Sequence, residues 1–223
     1  MSILSKIREQ RSKDVVELLE FSYGNRSWKP RLAPLDELIF TVLSQNTSDL
    51  NTYRSYERLT TKYRSWDQVM NASVEEIEIA IRIGGLSKVK APRIKNILIE
   101  IFSRNGELSI DLINKMDVGE SIEWLTSIPG VGRKTASCVL LFSFGLAAFP
   151  VDTHVLRVSK RLSLIDENIS ADKAHNLLER LISPEKYYQT HMDMIEHGRT
   201  VCIASKPNCK ECVLNTICPS ASL

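Results

Sequence analysis

The 223-residue chain is poor in punctuation: nine glycines and eight prolines are too few for the many tight turns of a β-sandwich or β-barrel. Sustained strand alternation is missing as well. So is a long apolar run, because Ala136 to Phe149 is broken by Ser137, Ser143 and Gly145 and falls short of the roughly 20 residues that span a bilayer. No membrane association is expected. Met1 to Arg11 contain no signal-peptide core, so the chain is expected to stay intracellular, where disulfides are rare. An excess of one charge is lacking too: 29 Lys and Arg stand against 27 Asp and Glu, and a net +2 gives no argument for a polyanionic partner without local clustering. What is present, 43% hydrophobic and 25% charged residues, belongs to a globular chain long enough for one or two cores.

Periodicity supplies helices. Leu35, Leu38, Ile39, Val42 and Leu43 fall on one face of a helix over Pro34 to Gln45, with Asp36 and Glu37 at its positive end. Further helices are expected over Asn51 to Tyr63 and over Val74 to Ile83, the latter preceded by the capping candidates Asn71 and Ser73 and stopped by Gly84-Gly85. The next is predicted to start near Pro92 and to end at Asn105-Gly106. Ile122 to Ser127, Arg133 to Phe144, Thr153 to Leu162, Ala171 to Ile182 and Tyr187 to Val201 complete an all-α reading without internal repeats.

Cysteine is scarce but concentrated. Cys202, Cys209, Cys212 and Cys218 give C-x6-C-x2-C-x5-C, while Cys138 stands far away in an apolar helix and reads as an inert core thiol. Thiolates gathered this closely repel and oxidise unless a metal binds them. A zinc ribbon normally offers two C-x2-C knuckles, and this segment has one; four thiolates in a compact loop suit a [4Fe-4S] cluster, with zinc as the alternative. The conservative role for such a group is to stabilise a tail too short to build a core.

Leu125 to Ala136 reads as a helix end, a Pro-Gly-x-Gly turn and a new helix opening with Arg133 and Lys134. Gly130 and Gly132 let backbone N–H groups approach an anion, which makes this a helix-hairpin-helix suited to one DNA phosphate. Lys134 lies in a first turn, where the helix dipole disfavours a cation and enclosure would free the amine as a nucleophile. Eighteen residues on, Asp152 opens Asp152-Thr153-His154, as a helix cap or as a carboxylate for a proton or a developing positive charge.

Ile128-Pro129-Gly130-Val131-Gly132-Arg133-Lys134-Thr135-Ala136, Val151-Asp152-Thr153-His154, His197-Gly198-Arg199 and the four spaced cysteines, taken together, resemble the endonuclease III family of helix-hairpin-helix DNA glycosylases. The matching stretches run from about Leu35 to Cys218. The resemblance implies two helical lobes flanking a DNA-binding cleft: a six-helix-barrel-like domain with the hairpin over 27–147, and a discontinuous domain of 1–26 plus 148–223 that carries the cluster loop, 202–218. It implies that Lys134 is the Schiff-base lysine and Asp152 the catalytic aspartate of a bifunctional glycosylase and abasic-site lyase of base excision repair. Its partner would be duplex DNA with oxidised pyrimidines or abasic sites, bound by a monomer that associates with the nucleoid in a prokaryote.

Gln45 or Asn46 would fill the gap left by a flipped base, and Leu86 would wedge the stack. Lys88, Lys90, Arg93 and Lys95 follow the wedge without an acid among them and suit phosphate contacts, as do Arg133 and His154 near the hairpin and Asp152. His175, His191 and His197 read as structural or exposed. The chain departs from the family in about ten extra residues between Glu107 and Leu125, in few cations within Ser205 to Asn208, and in Asp193 and Glu196 on a helix expected to be apolar. Two other readings stay open: a monofunctional uracil or mismatched-thymine glycosylase in which Asp152 activates water, and a non-enzymatic hairpin DNA-binding module. An adenine glycosylase is disfavoured because only Pro219 to Leu223 follow the last cysteine.

Overall fold

The computed structural model describes residues 3–221, which form helices, short 3-10 turns and loops, with no strand among the described residues. In chain order the helices are α1 (Ile3–Tyr23), α2 (Pro34–Ser44), α3 (Asp49–Lys62), α4 (Trp66–Asn71), α5 (Val74–Ile81), α6 (Ser87–Asn105), α7 (Val118–Thr126), α8 (Arg133–Val139), α9 (Thr153–Arg161), α10 (Ala171–Leu181) and α11 (Tyr187–Thr200). Two compact units result: an inserted unit, Pro30–Phe144, and an outer unit, Met1–Lys29 with Gly145–Leu223.

The inserted unit is built around α2. Its five apolar residues at helical spacing are buried as expected, and so are Glu37, Phe40 and Thr41, because the helix is enclosed by α3, α6 and α8 rather than lying on a surface. Each fully buried Leu, Ile or Val side chain contributes about 1.5–3 kcal/mol. Glu37 opposes that gain, since a carboxylate with no exposed surface must be paired. Arg31 supplies the pair: its Nε donates to Glu37 Oε2 at 2.9 Å, its Nη2 reaches Oε1, and Thr41 Oγ1 donates to Oε1 at 3.0 Å. The guanidinium also lies over the Phe142 and Phe40 rings, at 4.3 and 4.9 Å from their centres.

Helix α6 starts at Ser87, not near Pro92. Proline is most easily tolerated in a first turn, but at the sixth position it removes only one backbone donor, and the helix continues through buried Ile94, Ile97, Leu98 and Ile101. The residues between Glu107 and the hairpin form a 3-10 turn, Asp111–Lys115, that buries Ile113. They also form a capping box, in which Asp117 Oδ1 accepts from Glu120 N at 2.8 Å and Glu120 Oε2 accepts from Asp117 N at 2.9 Å. The helix expected over Arg133 to Phe144 changes to a wider π turn after Val139.

In the outer unit α11 packs on α1 and α9. Helix α1 has no counterpart in the periodicity reading: charged residues interrupt its pattern, and only Ser12, Val15 and Leu19 are buried. Asp193 on α11 has a structural cause, because it is buried and accepts from Arg26 Nε and Gln189 Nε2, each at 2.7 Å, while Arg26 also reaches Glu196. His175 and His191 are buried, with their Nδ1 atoms 2.8 and 2.9 Å from the Phe149 and Pro150 carbonyls, so they fasten the segment leading to Asp152.

Replacing Glu37 by Gln removes the anion and leaves a half-buried guanidinium on neutral acceptors. Urea denaturation of Glu37→Gln is expected to give a loss of about 2–4 kcal/mol; a loss below about 0.5 kcal/mol, the level of an ordinary surface change, contradicts the role given to the pair.

Candidate functional site

Helices α7 and α8 are joined by the turn that the glycines require. Ile128 and Val131 point inward, at 0% and 4% exposure, and Val131 N bonds Ile128 O at 3.0 Å, which leaves the turn's outer backbone exposed. Gly130 has φ +92, and a Cβ there would lie 2.8 Å from Arg93 Cγ, so both conformation and space demand glycine. Gly132 is different: its φ is an ordinary −92, and a Cβ would meet nothing within 4 Å. The space beside its backbone is open to a ligand. Arg133 and Lys134 follow, half-buried, while Thr135, Ala136 and Ser137 anchor α8 in the core.

Cys138, one turn beyond Lys134, is not isolated in the core. Burial pushes its thiol pKa up, while the charge of Lys134 and a hydrogen bond from its amine pull it down.

The polar segment after α2 belongs to the same unit and reaches the hairpin. Gln45 is half-buried; its Oε1 accepts from Arg93 Nη1 at 2.5 Å and its Nε2 lies 3.5 Å from Thr135 Oγ1, beside Lys134. Asn46 is exposed with φ +50, and Leu86, 52% exposed, has φ +51 at the start of α6. Lys88 is exposed and available to a phosphate.

Lys90 corrects the sequence reading. At 2% exposure its ammonium is enclosed and donates to Leu43 O at 2.6 Å, Thr47 Oγ1 at 2.5 Å and Gly84 O at 3.3 Å, so it is not a phosphate contact. Burial lowers its pKa to about 8. Lys95 donates to Ala72 O at 2.5 Å and Arg93 to Gln45, so the run of four cations is used largely inside the protein.

In the outer unit Asp152 caps α9, its Oδ1 accepting from Val155 N at 2.8 Å, and its carboxylate is half-exposed. His154 packs on Gly198, where a Cβ would stand 2.9 Å from the imidazole's own Cβ, and its Nδ1 lies 3.2 Å from Arg157 Nη2. Arg157 in turn donates to Gly198 O at 2.7 Å and Cys202 O at 3.1 Å, and so ties α9 to the cysteine segment.

Cys202, Cys209, Cys212 and Cys218 all line one pocket, together with Arg161, His197 and Leu214. All four are free thiols of intermediate exposure. Burial raises the Cys212 and Cys218 pKa values, and the neighbouring thiolates add to the rise. Arg161 answers that repulsion: its Nη1 lies 3.2 Å from Cys202 Sγ and bonds Ile203 O at 2.8 Å, while Nη2 bonds Ala204 O at 2.8 Å. Between Cys202 and Ser220 only Leu214 is buried, so the segment has almost no core of its own. Among the described residues no three His, Cys, Asp or Glu side chains converge as ligands of one metal ion. Four thiolates spread around a cavity fit a polynuclear group, which takes one sulfur ligand at each iron.

A family model for HhH-GPD superfamily base excision DNA repair proteins matches residues 39–184. An endonuclease III from Thermotoga maritima is 35% identical over 83% of this chain and 82% of its own. A longer relative from Arabidopsis thaliana is 35% identical over 85% of this chain, which spans 62% of that relative's length. Among solved structures, a trapped endonuclease III–DNA covalent intermediate superposes with a TM-score of 0.82 at 31% identity, covering 96% of each chain. Hairpin, glycines, lysine, cap and cysteines thus stand in a chain that belongs to the HhH-GPD superfamily of base excision DNA repair proteins and, within it, to the endonuclease III family of DNA glycosylases.

Proposed function

We propose that this chain excises oxidised pyrimidines from duplex DNA and then cuts the strand, with the Lys134 amine as nucleophile. The observation that carries the reading is Lys134 itself, half-buried in the first turn of α8, two residues from the open backbone of Gly132 and in a family with a solved covalent DNA intermediate. A duplex shields C1′ of the sugar, so the target nucleotide must leave the stack first. Lys134 Nζ then forms a bond to C1′ as the glycosidic bond breaks and the base departs with its electron pair. Loss of the amine proton and opening of the sugar ring give a Schiff base, which permits β-elimination of the 3′ phosphate.

Asp152 takes the acid–base and electrostatic part in this reading. Its second carboxylate oxygen is left by the cap to hold a proton or to offset positive charge on the sugar. Gln45, Asn46 and Leu86 serve strand opening, and the backbone at Gly130 and Gly132, with Arg133, Lys88 and His154, serves DNA binding. A [4Fe-4S] cluster on Cys202, Cys209, Cys212 and Cys218 holds the coreless tail together; when bound it supplies the cross-links that apolar burial there does not, and no step of the reaction passes through it.

Three measurements test this reading. Borohydride trapping on abasic duplex is expected to fall to background in Lys134→Gln, with duplex affinity kept within about tenfold. Undiminished trapping removes Lys134 from the mechanism, and base release by wild type without strand scission points to the monofunctional alternative. In Asp152→Asn the cap survives, since Asn caps as well as Asp, and base excision is expected to drop by about 10²–10⁴-fold; full activity there overturns the carboxylate's role. The purified protein is expected to contain about four iron and four sulfide per chain. Cys212→Ser is expected to lose that iron and to unfold the tail first, as read by limited proteolysis; zinc in place of iron would reject the cluster.

A further inference from the structure

Lys90 has a use that the reaction does not explain. A cation at 2% exposure is normally matched by a carboxylate, yet its three donors meet three uncharged acceptors, Leu43 O, Thr47 Oγ1 and Gly84 O. Leu43 lies at the C-terminal end of α2, where the helix dipole favours positive charge, but a methionine of similar length would avoid the desolvation cost altogether. What a methionine could not do is join two chain segments.

One of those segments runs from the end of α2 through Gln45, Asn46 and Thr47; the other is the Gly84-Gly85-Leu86 turn. Thr47 Oγ1 also donates to Gly84 O at 2.5 Å, which closes the junction. Each segment carries one non-glycine residue in left-handed backbone, Asn46 at φ +50 and Leu86 at φ +51. Such a conformation is strained and persists only where the surroundings enforce it. A side chain at Gly84 would have no room, since a Cβ there would stand 2.5 Å from Ser55 Oγ.

We propose that Lys90 is a positioning residue for strand opening: its buried ammonium holds the Gln45–Asn46 segment and the Leu86 turn at a fixed spacing, so that gap filler and wedge enter the duplex together. The proposal rests on the assignment of Gln45, Asn46 and Leu86 to strand opening. Lys90 acts on DNA only through these segments and touches no nucleotide.

Duplex and single-stranded substrates separate this role from general stability, because an abasic site in a lone strand presents no gap facing an opposite base to fill and no paired stack to part. Borohydride trapping rates would be measured on both forms for wild type and Lys90→Met, with thermal melting as the check on folding. The ratio of duplex to single-strand rate is expected to fall about tenfold in folded Lys90→Met, the scale of a lost alignment. An unchanged ratio, or an equal loss on both substrates, overturns the proposal. If Lys90→Met does not fold, Thr47→Val decides: a fall of about two- to threefold in the same ratio supports the proposal and an unchanged ratio overturns it. A wild-type protein that traps on neither substrate overturns the Lys134 reading; the Lys90 proposal is then read from the ratio of duplex to single-strand binding affinity for abasic DNA, which supports it if it falls in folded Lys90→Met and overturns it if unchanged.

Discussion

Backbone carbonyls at helix ends and in the loops between helices need donors, and this chain supplies many of them with cations. In the inserted unit Lys90 takes Leu43 O and Gly84 O, Lys95 takes Ala72 O, and Arg104 Nη2 takes Ser127 O at 3.1 Å. In the outer unit Arg157 and Arg161 do the same for Gly198 and for the chain from Cys202 to Ala204. Hydrogen bonds from charged donors are roughly twice as strong as neutral ones, so a small set of them can fix loops that bury little apolar surface. The geometry of the Leu86 turn and the cysteine segment depends on this use of charge more than on packing.

The same fact explains where the sequence misled. A run of four cations without an acid looks like a phosphate-binding face, and Lys88 does stand in solvent. Lys90 does not, and Arg93 and Lys95 are half-buried, because helical spacing turns the three successively toward the α2 end, the Gln45 amide and the α4 end. Sequence spacing records that charges are adjacent in the chain, whereas burial decides whether a charge serves a ligand or a carbonyl. Apolar periodicity was far more legible: α2, α3, α5, α9, α10 and α11 lie within a few residues of expectation, since a buried stripe leaves a repeating trace. Helix α1 left none, because it is held by few buried side chains and by ion pairs to distant residues such as Lys186 with Glu20 at 2.7 Å.

Motifs were legible in outline but not in their causes. Two glycines in the hairpin suggested one reason, close approach of an anion to backbone, yet they have two. Gly130 is fixed by its own protein, through a positive φ and the Arg93 side chain, and would be needed with no ligand present. Gly132 has neither constraint, so its neighbours in the chain do not explain the absence of its side chain. Cys138 is buried as its apolar neighbours in sequence predict, and the charge of Lys134 one turn earlier offsets part of the rise that burial gives its thiol pKa.

These cases share a physical distinction between residues that satisfy the chain and residues left unsatisfied by it. Asp152 shows both in one side chain: one oxygen caps α9, as its sequence position predicts, and the other is uncommitted by that bond. Gln45 is engaged at both ends of its amide, with Arg93 and Thr135, so any move into a duplex must exchange these bonds for bonds to a base. Asn46 is exposed in left-handed backbone and has no such exchange to make. Of the two filler candidates, Asn46 is thus the one without such ties, while Gln45 is bonded to Arg93, which lies beside Gly130, and to Thr135, next to Lys134.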